Sequence, residues 1–193
     1  MNWFKLIALT LFLVGCGEAD RGKAYITSQE GGISVIDLNT MEVVGQLKAG
    51  GYPRGIGITK DGTRIITANK ADASVTVTNI LSNEIKSSIE VGINPEFVRV
   101  FNGQVFVSTE PSSKGKPPAK GEMNKEEEEE DDDDDDRTPA KIAVVDLVEG
   151  KKIREITAGP ETEGIEFSKD GTQIIVTNEA DNTITVHDFV SGD

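Results

Sequence analysis

The chain has 193 residues, 36% hydrophobic and 5% aromatic, and a formal net charge of −14. Eleven of its acidic residues form one run, 126–136, so the remainder carries about −3; a uniformly acidic nucleic-acid mimic is excluded, and no basic patch offers a nucleic-acid surface. The single cysteine, Cys16, excludes an internal disulfide.

The first 15 residues have the layout of a secretory signal: Lys5 precedes an apolar run at 6–15, and a cysteine follows at once. The run is too short to span a bilayer, which needs about 20 apolar residues. Its end, Leu13-Val14-Gly15-Cys16, resembles the lipobox of bacterial lipoproteins. That resemblance implies removal of 1–15, lipid attachment to Cys16, and a linker over 16–23. Acyl chains contribute about 0.8 kcal/mol per buried CH₂, so a multiply acylated cysteine anchors stably. The expected address is the exported, periplasmic side of the cell envelope. Gly17, in place of an aspartate, tilts it toward the outer membrane.

From residue 24 onward the chain repeats. Four segments align, beginning at Ile33, Val75, Ile142 and Ile184, and reading ISVID, VTVTN, IAVVD and ITVHD. Their spacing is about 42 residues once 112–137 is set aside as an insertion. The turn KDGT at Lys60 recurs as FNGQ at Phe101 and KDGT at Lys169. Glycine-led loops at Gly50, Gly92 and Gly159 keep the same step. Within a unit the apolar residues alternate with period two, which predicts half-buried strands separated by turns rich in Asp, Gly, Asn and Ser. Four antiparallel strands every 40–45 residues describe a β-propeller blade. The register gives three, four, four and three strands, so the predicted fold is all-β, an incomplete ring of four-stranded blades over 24–193.

The insertion 112–137 is too poor in apolar residues to form a core and is predicted to be disordered. It enters after the second strand of the third blade, on the face that carries the glycine-led loops. Adjacent carboxylates such as Glu126, Glu130, Asp131 and Asp136 attract cations weakly. A tight calcium site needs preorganised oxygens at defined spacing, and this run has none. No specific metal site is predicted.

The loops reading GYPRG, INPEF and PETEG place Arg54, Glu96 and Glu163 at equivalent positions ringing the channel mouth of a propeller. Their glycines and prolines set the crossing between blades. The three charged residues are the candidate face for a polar ligand or partner. His187, the one histidine, lies in the alternating strand ITVHD and cannot build a zinc site alone. Neither a serine elbow nor a phosphate-binding glycine loop is present, so no catalytic constellation is assigned.

The units resemble the YVTN family of β-propeller repeats. The resemblance rests on AYITSQ from Ala24, RIITAN from Arg64 and QIIVTNEADNTITVHD from Gln173, with the glycine-led loops and KDGT turns; it covers 24–111 and 138–193. The family implies about seven blades, so the chain is expected to be the N-terminal part of a longer protein, or to close its ring with a second chain. The expected function is a non-catalytic binding or scaffold module, without a cofactor of its own, for a protein or small-molecule partner. Two alternatives come with the resemblance: a redox-accessory propeller handling a quinone cofactor or haem, and a lactonase-like hydrolase.

Overall fold

A computed structural model describes residues 20–111 and 138–193. The signal 1–15, linker residues 16–19 with Cys16, and the insertion with Glu126, Glu130, Asp131 and Asp136 lie outside the described residues. Within them the chain forms fourteen strands in four antiparallel sheets. Blade 1 contains β1 (Lys23–Thr27), β2 (Ile33–Asp37) and β3 (Glu42–Leu47). Blade 2 contains β4 (Pro53–Ile58), β5 (Arg64–Asn69), β6 (Ser74–Asn79) and β7 (Glu84–Glu90). Blade 3 contains β8 (Pro95–Phe101), β9 (Gln104–Thr109), β10 (Lys141–Asp146) and β11 (Lys151–Thr157). Blade 4 contains β12 (Thr162–Phe167), β13 (Gln173–Asn178) and β14 (Thr183–Asp188).

Strand order follows chain order in every sheet. The counts of three, four, four and three match the register expected from the repeats. Among the described residues, blade 1 has no counterpart of the first strand, blade 4 none of the fourth, and no ring is closed.

Side-chain alternation decides what each blade buries. In blade 3, Val105, Val107, Ala143 and Val145 pack against Ile66, Ala68, Val75 and Val77 of blade 2. The intervening residues Phe106, Ile142 and Val144 point the other way and meet Ile165, Phe167, Ile174 and Val176 of blade 4. One sheet therefore serves two cores. The second core has an aromatic centre: Phe101 and Phe167 stack at 4.0 Å, and Phe106 meets Phe167 edge-on at 4.8 Å. Such pairs contribute about 0.5–1.5 kcal/mol beyond their buried area. Blade 1 joins blade 2 partly through polar bonds, with Lys48 N donating to Asn83 Oδ1 at 2.8 Å and Thr78 Oγ1 donating to Lys48 O at 2.8 Å.

The turn after the third strand is the same in all four blades. Asp37, Asn79, Asp146 and Asp188 each accept the backbone N–H groups two and three residues on. Four residues on, the backbone is left-handed: Met41 at φ 60°, Asn83 at 53°, Gly150 at 65° and Gly192 at 81°. The pairs Asp61-Gly62 and Asp170-Gly171 in the KDGT segments read as tight two-residue hairpin signals, but the structure places them in five-residue loops, 59–63 and 168–172. Asp61 Oδ1 takes bonds from Thr59 Oγ1 at 2.6 Å and Thr63 N at 3.1 Å, and these bonds hold its carboxyl down at about 2. The two-residue turn is Asn102-Gly103, where both residues have positive φ, 48° and 78°, as a type I′ hairpin requires.

Candidate functional site on the inter-blade loop face

The loops entering blades 2, 3 and 4 are built alike. In each a left-handed residue precedes the first strand: Tyr52 at φ 58°, Asn94 at 48° and Glu161 at 52°. The first strand then begins with a register shift against the second, between Pro53 and Ile56, Pro95 and Val98, and Thr162 and Gly164. A bulge re-aims the side chain it carries. Arg54, Glu96 and Glu163 each sit in such a bulge, which is why equivalent loop positions converge on one face.

Close packing brings them within reach of one another. The first strands of neighbouring blades run side by side, and Gly55 of β4 faces β8 directly. A Cβ at Gly55 would stand 2.0 Å from the Glu96 carbonyl oxygen, so only glycine allows this approach. Arg54 and Glu96 form an ion pair across blades 2 and 3. Arg54 Nη1 also donates to Asn94 Oδ1 at 3.4 Å.

A fourth residue, Glu110, completes the group. It follows β9 immediately, is 4% exposed, and its Oε2 accepts a bond from Asn94 Nδ2 at 3.1 Å. Its Oε1 is buried with no hydrogen-bond donor. Glu96, Glu110 and Glu163 each contribute a carboxylate oxygen to a group whose members all lie within 4.8 Å of one another. Burial, reinforced by Glu96 and Glu163, pushes the Glu110 carboxyl up to about 9. Burial and the charge of Glu96 also raise Glu163. Lys70, at the matching position after β5, is lowered by burial and by Arg54. A carboxyl held protonated beside two others shares its proton with them, and that proton or a cation is what the bare Oε1 needs.

The structure thus brings all three anticipated residues together and adds Glu110. A signal for it was present in the sequence: Lys70, Glu110 and Glu179 occupy one register position, directly after the second strand of successive blades. His187 is half-buried on the β14 face shared with Thr185, and its ring nitrogens lie 3.0 Å from Thr185 Oγ1 and 3.3 Å from the Gly192 carbonyl.

Sheets of this form, repeated in this register, have the fold of β-propeller blades. More narrowly, residues 18–104 match the family model described as YNCE-like beta-propeller. Among solved structures the chain is similar to Kuenenia stuttgartiensis Hydrazine Synthase, with a TM-score of 0.70 and 19% sequence identity. The likeness covers 90% of this chain and 44% of that one, so the chain spans less than half of its structural neighbour. A comparison with curated proteins finds no match.

Proposed function

We propose that the protein is a non-catalytic, lipid-anchored module of the bacterial cell envelope that binds its partner on the inter-blade loop face. The observation that supports this reading is the convergence of Arg54, Glu96, Glu110 and Glu163 on one rigid face. Loops fixed by a scaffold are where binding residues concentrate. Cys16 supplies the anchor, with the chain held on the periplasmic side. The apolar face of blade 4, where Ile184 is 68% and Val186 52% exposed, is compatible with a further blade or a second chain covering it.

The test has two arms. Cys16→Ser shifts the protein from the membrane fraction to the soluble fraction; continued retention overturns the anchor. Photo-crosslinking from position 163 in envelope preparations yields a defined adduct that a crosslinker at Lys60, on the opposite hairpin face, does not. Equal labelling from both positions overturns the loop-face assignment.

The lactonase-like alternative gains one observation, because a carboxyl protonated near neutral pH is the usual form of a general acid. Proton release from sugar lactones no faster than in buffer removes it.

A further inference from the structure

We infer that Glu96, Glu110 and Glu163 form a calcium-binding site bridging blades 3 and 4. The inference takes the loop-face reading for its location only. Ca²⁺ takes oxygen ligands at about 2.3–2.6 Å in flexible geometry, whereas Mg²⁺ demands near-ideal octahedral geometry and keeps several waters, so carboxylates fixed by the backbone suit calcium better. The three carboxylates each offer an oxygen, all within 4.8 Å of one another, close enough for one ion to bridge them.

Three carboxylates gathered together would not be enough. What distinguishes this group is Glu110: its carboxyl is almost wholly buried, Asn94 occupies Oε2, and Oε1 has no donor. A buried carboxyl oxygen that no protein N–H or hydroxyl reaches is satisfied either by a proton shared with Glu96 and Glu163 or by a cation bound to all three. The ligands are also preorganised. Glu96 and Glu163 stand in backbone bulges, and Glu110 is pinned where Glu110 N donates to Asn94 O at 3.2 Å. Glu163 lies at the surface and gives the ion a way in, while waters complete the six to eight oxygens that calcium takes.

The surrounding charges permit this. Arg54 pairs with Glu96, and Lys70 stands near Glu96 and Glu110. Against these two cations stand Glu96, Glu110, Glu163 and Glu179, the last acting on Glu163. The site remains net negative, and the ion displaces the proton held among the carboxyls.

The full chain, stripped with chelator, is unfolded by heat near neutral pH with and without about 5 mM calcium chloride, enough to fill even a weak calcium site, and the midpoint is compared with that of Glu110→Gln. Binding to the folded state alone raises the midpoint. The acidic run 126–136 is contiguous in sequence and binds cations in the unfolded chain too, so it produces little shift. The expected result is a rise of about 3 °C or more in the parent chain that is lost in Glu110→Gln. No rise, or an equal rise in the variant, overturns the site. An equal or larger rise with magnesium overturns the assignment to calcium. Should Glu110→Gln fail to fold, Glu163→Gln decides, since its side chain is exposed: a reduced shift supports the site and an unchanged one overturns it. Photo-crosslinking from position 163 reports on the partner separately, so loss of the calcium effect leaves that reading standing.

Discussion

Ile142 and Ile184 hold the same place in successive blades, yet the first is wholly buried and the second is 68% exposed. The series runs through the molecule. Ile33 and Val35, Val75 and Val77, and Ile142 and Val144 are all buried, on the side of each sheet that faces the next blade. Ile184 and Val186 are the fourth pair, and within the described residues no blade covers them. The residues are alike and the environments differ, so the difference measures what a neighbouring blade contributes. In a stacked repeat, stability resides in the interfaces as much as in the units.

The comparison can be broken by one pair of substitutions. Ile142→Ala removes buried volume between blades 3 and 4 and costs about 2–5 kcal/mol. Ile184→Ala, at the equivalent position, changes stability by no more than about 0.5 kcal/mol. Chemical denaturation of both variants at several protein concentrations checks this. An equal loss in the two would show that blade 4 is covered in solution.

A second test contrasts the buried site with its exposed surroundings. Glu110 holds its proton up to about 9 in the folded protein but releases it near 4.5 when unfolded. Between those values the folded state binds the extra proton, so stability is complete below pH 4.5 and is lost as pH rises toward 9. The slope expected from one proton is about 1.4 kcal/mol per pH unit at most, with Glu163 adding in the same sense. Glu110→Gln flattens it, which denaturation midpoints between pH 5 and 9 will show. Asp61, already ionised above about 2, contributes nothing in that window.

The smallest effect sharpens the comparison among turns. Met41 adopts the left-handed conformation that glycine supplies at Gly150 and Gly192, and it is 71% exposed. Met41→Gly relieves a backbone penalty of about 1–2 kcal/mol, partly offset by the entropy of glycine in the unfolded chain. A net gain of about 0.5 kcal/mol in thermal unfolding is expected; a loss would mean the side chain packs where exposure says it does not.

Most of the fold was legible because the repeat states each rule several times. The alternation at Ile33, Val75, Ile142 and Ile184 marks the third strands, and the resetting loops at Gly50, Gly92 and Gly159 mark the blade boundaries. Arg54, Glu96 and Glu163 could be paired by position because the bulge that aims them recurs. Glu110 was not legible in the same way. At the edge of an acidic insertion it reads as solvated charge; its burial comes from Asn94 and from the neighbouring carboxylates, contacts separated by many residues. The exposed Ile184 was hidden for a related reason, since alternation reports which residues share a face but not whether anything lies against it.

The point at which the insertion leaves blade 3 has a practical meaning. Thr109 and Lys141 are direct partners in the β9–β10 ladder, and Thr109 Oγ1 donates to the Lys141 carbonyl at 3.0 Å. The segment between them departs and returns through adjacent doors, so its length is decoupled from the geometry of the sheet. Such a junction is a natural splice site: an affinity tag or a small reporter domain placed there leaves the Thr109–Lys141 pairing beneath it closed.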